Sequence, residues 1–149
     1  MAKHKKKPHS IIVPTPEKRP RTASGTVLSF DGRLASWHLS RIDFEGPWGC
    51  GFLTRDVIRA QIHPKIRSFE GMTWGEIKTS DLGHSVPCQH CCAEARKRLR
   101  ELEADDVDEL FRLRLTGKQR IWGIMDRGVL NLLWWDPSHT VCPSEPRHT

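Results

Sequence analysis

The stretch Leu110–His139, LFRLRLTGKQRIWGIMDRGVLNLLWWDPSH, constrains the fold of this chain more than any other. Phe111, Leu113 and Leu115 alternate with Arg112 and Arg114, the period-two pattern of a strand with one packed face and one face bearing guanidinium groups. Thr116-Gly117-Lys118 follows as a hairpin loop whose glycine can adopt positive φ. Gln119–Met125 is then a second strand, Asp126-Arg127-Gly128 a second turn, and Val129–Trp135 a third strand. The third strand is apolar on both faces apart from Asn131, as expected of a central strand covered on both sides. Asp136-Pro137 ends it, and His139 lies just beyond. A chain with such a meander must set it in the core and pack the preceding segments against it.

Those segments carry their own signals. Ser24–Phe30 and Leu34–Phe44 read as strands around an Asp31-Gly32 turn, with Trp37, Leu39 and Ile42 facing inward. Thr54 is a candidate helix cap, and Val57, Ile58, Ile62 and Ile66 fall at helical spacing. Pro64 lies inside that pattern and predicts a kink or two short helices. Phe69, Met72 and Trp74 close the layer, and residues 78–86 read as a loop. Pro87 suits a first helical turn, and a helix over about Gln89–Glu103 sets Cys92, Ala95, Leu99 and Leu102 on one stripe, with Arg96, Lys97, Arg98 and Arg100 elsewhere. The expected architecture is α+β: two helices packed on one face of an antiparallel meander, preceded by a strand or hairpin.

The 149 residues suit one domain over 24–149, preceded by a disordered basic arm, residues 1–23, which has four prolines and a lysine run. The formal net charge of +6 belongs to that arm. Residues 1–22 hold seven basic groups against Glu17 alone, and the remainder nets zero. The arm is either a solvated tail or an electrostatic tether to RNA or the ribosome. No apolar run approaches the roughly 18–20 residues that span a membrane, and the first residues lack the apolar core of a signal peptide. The expected compartment is the cytoplasm, with no membrane partner. Five cysteines, an odd number with three at 88, 91 and 92, do not form a secreted disulfide framework.

Within residues 112–135 the charge segregates. Arg112, Arg114, Lys118, Arg120 and Arg127 stand against Asp126 alone. Arginines two apart on a strand share a face and can hold phosphate oxygens, and Trp122 can stack an unpaired base. Arg112, Arg127 and Trp122 are therefore candidate RNA contacts. The structural alternative has the tryptophans in the core and the arginines paired with the acidic run Glu101–Glu109. His139 beside Asp136 is a candidate proton carrier, oriented by a carboxylate, or else a capping histidine. A competing set is Cys88, Cys91, His139 and Cys142, whose CxxC and HxxC spacings match zinc ligands, although small buried cysteines account for them as well. As a zinc ligand, His139 would not be free to carry a proton. Asp105, Asp106, Asp108 and Glu109 lack the spacing of a two-metal site and read as a solvated turn.

The strand order, with LFRLRLTGKQRIWGI, DRGVLNLLWW and DPSH in its second half, resembles the RelE/ParE-like superfamily of bacterial toxins. The resemblance covers about residues 34–142 by topology and 110–139 by motif. It implies cleavage of mRNA in the ribosomal A site with no metal or other cofactor, and a cognate antitoxin as protein partner. By position it implies catalytic roles for Arg120, Lys118, Arg114 and His139. The chain departs from the family in having no tyrosine, which several members use to stack a base, and in its N-terminal extension. The superfamily also contains toxins without nuclease residues, so a non-catalytic toxin-like binding module is the alternative. A zinc-stabilised structural or regulatory protein is a third.

Overall fold

The computed structural model describes residues 29–143. The basic arm and most of the first expected strand lie outside those residues. Five strands form one mixed sheet: β1 (Trp37–His38), β2 (Gly83–Pro87), β3 (Glu109–Arg114), β4 (Arg120–Asp126) and β5 (Val129–Asp136), in the order β1-β5-β4-β3-β2. β1 runs parallel to β5, and every other pairing is antiparallel. The meander β3-β4-β5 is thus the centre of the sheet, as its apolar content requires. Its second turn has Arg127 and Gly128 at φ 52° and 85°, the paired positive values of a tight hairpin turn.

Thr54 caps the first helical run by accepting a hydrogen bond from the Val57 amide. The run passes through α1 (Arg55–Val57), a π-helical turn over Ile58–Ile62, and α2 (His63–Glu70). The π turn ends just before Pro64 and divides the run into short helices, one of the two outcomes expected there. α3 (Trp74–Thr79) opens on a capping box in which Thr73 and Glu76 satisfy each other's backbone amides. α4 (Ala93–Glu101) follows a short 3-10 turn over Cys88–His90, with the Cys92 thiol accepting from the Ala95 amide at 3.4 Å.

Three expectations are corrected. Leu34–Phe44 is a strand only at Trp37–His38, because a turn at Leu39–Ile42 (Ile42 amide to Leu39 carbonyl, 3.2 Å) bends the chain away and leaves Leu39 63% exposed. Residues 78–86 are not a loop. They contain the end of α3 and most of β2, an edge strand hidden in the sequence by its glycine, proline and polar residues. Gly83 is needed there: a Cβ would meet Ile77 Cγ2 and Phe111 Cε1 at 2.8 Å each. Pro87 ends that edge strand and does not begin a helix.

The third correction concerns layering. Phe69, Trp74 and Ile77 from α2 and α3 pack with Phe111, Leu113, Leu115, Ile121 and Leu130 on one sheet face. Ala95 and Leu99 of α4 pack with Leu110, Trp122, Ile124, Leu133 and Trp134 on the other. Helices therefore cover both faces. Full burial of side chains such as Phe111 and Leu113 contributes roughly 1.5–3 kcal/mol each. The register shifts between Trp122 and Gly123 leave Leu133 unpaired, so that Leu133 and Trp134 both enter the α4-side core.

A buried carboxylate ties this second core together. Asp43, 3% exposed, takes Arg98 Nε on Oδ2 at 2.9 Å and Arg98 Nη2 on Oδ1 at 2.8 Å. It also accepts Trp134 Nε1 at 2.9 Å and the amides of Glu45 and Gly46. The Arg98 guanidinium, aided by those donors, holds the Asp43 carboxyl far below the usual carboxylate range against the opposing effect of burial. Arg98 is thus no solvated helix residue. It joins α4 to the segment after β1, with Glu101 at 2.9 Å as its second partner.

Candidate functional site

The pairing register sets two cross-strand rows side by side on the α4 face of the sheet. One runs His84, Arg112, Trp122, Trp134, and the next runs Arg114, Arg120, Asp136. Arg112 and Arg120 are diagonal neighbours in this lattice, so like charges are concentrated where β3, β4 and β5 meet. None of Arg112, Arg114 and Arg120 takes part in an ion pair among the described residues, and the acidic run offers them no partner.

Arg120, 7% exposed, donates from Nη1 to the carbonyls of Gly117 (2.7 Å) and Gln119 (3.0 Å), which ties it to the hairpin loop. Arg112 places Nη2 3.3 Å from His84 Nδ1. The Nε atoms of both arginines are buried and hydrogen-bond to no protein atom, and the same holds for His139 Nε2. Buried nitrogens of this kind are rare, because an unmet donor or acceptor costs about 1–3 kcal/mol. Two guanidinium donors on one sheet face and an imidazole nitrogen in the turn after β5 are thus without a protein partner.

His139 owes its position to Asp136. That fully buried carboxylate does not touch the imidazole. Its oxygens take Trp122 Nε1 (3.0 Å), the Thr140 amide (2.9 Å) and hydroxyl (3.3 Å), and the Val141 amide (3.1 Å). It therefore pins the turn after β5, within which His139 holds φ at 56°. Asp136 thus fixes the backbone of this turn, and the imidazole has no carboxylate partner among the described residues.

Electrostatics gives the groups distinct roles. Burial, followed by the charges of Arg120 and Arg112, pulls His139 below the ordinary histidine value. Burial and Arg112 do the same to His84. Both imidazoles are neutral at pH 7, while guanidinium groups keep their charge even when burial lowers their pKa. The site thus combines desolvated cations with a neutral proton acceptor, a combination suited to a phosphate whose neighbour must lose a proton.

The other expected residues divide. Arg114 and Lys118 are exposed and stand beside the cluster on the β3 end and the hairpin loop. Trp122 is fully buried with its indole N–H on Asp136, so it stacks on no base, and Trp134 is likewise core. Arg127 sits at the opposite end of β4, ~20 Å along the strand from Arg120, with its side chain 93% exposed beside Asp126. Neither Trp122 nor Arg127 belongs to the site. Among the described residues, no three His, Cys, Asp or Glu side chains converge as metal donors, so Cys88, Cys91, His139 and Cys142 do not form the competing zinc set. All five cysteines are free thiols. Burial, with the neighbouring Cys142, Cys88 and Cys92, pushes the Cys91 thiol up to about 12, which keeps it protonated and core-like.

No clean alternation in β2 marks His84 as a site residue: Gly83 and Val86 are buried and His84 half-buried. No helix among the described residues is long and apolar enough to cross a membrane. No family model, curated protein or solved structure matches this chain.

The two depressed histidines give a pH signature. On acidification the unfolded chain, with histidines at 6.5, takes up protons before the folded one. Stability is therefore complete above that value and declines as pH falls through the lower folded values. The urea midpoint should be lower at about pH 5.5 than at about pH 7.5, and a His84→Gln/His139→Asn variant should flatten that slope. A wild-type midpoint that does not move across this window refutes the assignment.

Proposed function

We propose that this chain is a toxin-like RNA endonuclease of the RelE kind, acting in the bacterial cytoplasm on mRNA or ribosome-bound RNA and restrained by a cognate antitoxin. The observation that carries the reading is the clustering of Arg112, Arg114 and Arg120, free of ion pairs among the described residues, close enough to His139 to lower its pKa. In this reaction the ribose O2′ attacks the adjacent phosphorus while neutral His139 accepts its proton. The O2′–P bond forms and the P–O5′ bond breaks. The proton passes to O5′, leaving a 2′,3′-cyclic phosphate and a 5′-hydroxyl. Arg120 and Arg112 stabilise the charge on the pentavalent phosphorane, the largest demand of the step. Arg114 and Lys118 hold flanking phosphates from the solvent side. The antiparallel meander fits the strand order on which the resemblance rests, while α3 and β2, which precede α4, are departures from it.

A non-catalytic toxin-like binding module is the second reading. An apolar cleft of about 340 Å³, lined by Leu39, Phe44, Leu53, Ile58 and Trp135 among others, favours it. Leu39 and Phe44 are each 63% exposed there, an arrangement typical of protein-binding surfaces. Induced expression followed by mapping of mRNA ends separates the two. The nuclease produces new 5′-hydroxyl ends as growth stops. Growth arrest with intact mRNA transfers the function to the binding module, and unimpaired growth eliminates both.

A further inference from the structure

A cleft of about 620 Å³ opens beside Arg112, lined by His84, Gln89, His90, Arg112, Cys142 and Pro143. Its volume lies in the range of small-ligand sites and well above what a lone phosphate fills. Among the described residues its lining contains no carboxylate. The ligand it suits is an anion with a larger body attached.

The polar groups are arranged in two parts. At one end, Arg112 Nη2 can only donate, so His84 Nδ1 is the acceptor at 3.3 Å. The neutral ring then carries its proton on Nε2, as a second donor beside the guanidinium. At the other end, the 3-10 turn Cys88–His90 presents two exposed side chains, Gln89 and His90. An imidazole offers a stacking plane and a carboxamide pairs with base edges. The Cys142 thiol donates to the His90 carbonyl at 3.1 Å and ties the C-terminal wall to this turn.

We infer that this cleft is a nucleotide subsite, with a phosphate on Arg112 and His84 and its base against His90 and Gln89. The inference rests on the nuclease reading for taking the ligand as part of an RNA. It adds that base preference next to the cut comes from the Cys88–His90 turn, since Trp122 and Trp134 are in the core.

The test titrates the full chain with inorganic phosphate and with the four ribonucleoside 3′-monophosphates, alongside an RNA cleavage assay on the same preparation. At least one nucleotide should bind about tenfold more tightly than phosphate, the difference a single stacked base makes. A Gln89→Ala/His90→Ala variant should keep phosphate affinity, lose that tenfold gain, and cleave with an altered base preference. Equal affinity for phosphate and all nucleotides overturns the base subsite. Cleavage by the wild type without nucleotide binding overturns the subsite and leaves the nuclease intact. Nucleotide binding lost in the variant, with no RNA cleaved by the wild type, supports the subsite and overturns the nuclease.

Discussion

His139→Asn should lower RNA cleavage about 10²- to 10⁴-fold, the usual contribution of a positioned general base, with the fold unchanged. Asparagine is the instructive replacement because His139 sits at φ 56°, a left-handed conformation that asparagine tolerates better than alanine. No hydrogen bond is lost at Nε2, which makes none. The pH profile adds a second readout. The neutral imidazole is the active form, so wild-type cleavage should fall with decreasing pH through a limb below 6.5. Undiminished cleavage by the variant removes His139 from the mechanism. A limb above 6.5 contradicts the electrostatic environment assigned to it.

The second large effect is structural. Asp43→Ala should destabilise the protein by about 3–5 kcal/mol, the cost of removing one member of a buried ion pair. The substitution leaves the Arg98 guanidinium, the Trp134 indole N–H and the amides of Glu45 and Gly46 without their shared acceptor. As a control, Lys97→Ala breaks only an exposed 4.0 Å pair with Glu101 and should change stability by less than about 0.5 kcal/mol. Urea unfolding of the three proteins decides the matter. A loss below about 1 kcal/mol for Asp43→Ala would mean that the carboxylate is replaceable and that the apolar contacts alone hold the segment.

Sequence periodicity revealed what local physics determines. The β3-β4-β5 meander, the Thr54 cap, the break at Pro64 and the burial of Phe111, Leu113 and Leu115 all follow from patterns a few residues long. β2 was not legible, because Gly83 is there for close approach to Ile77 and Phe111, partners distant in sequence or structure type. The capping box at Thr73 and Glu76 was present as a T-x-x-E signal and marks the start of α3. Of the site, Arg112, Arg120 and His139 were readable as basic residues near strand ends. The roles of Asp136 and His84 were not, since both depend on cross-strand register. Trp122 misled for the same reason: its partner Asp136 lies 14 residues away, across a hairpin.

The sheet order β1-β5-β4-β3-β2 also has a temporal meaning. The central hairpins connect strands that follow one another directly, so they close short loops and lose little chain entropy in forming. Among the described residues β1 has no neighbour except β5, so the first described strand has nothing to pair with until the last one exists. Its two residues dock onto a finished template. The parallel edge is thus a late arrival on the folding pathway, and it carries with it the segment that brings Asp43 to Arg98 and Trp134. The Asp43 carboxylate thus links an edge segment to the sheet that bears the basic cluster.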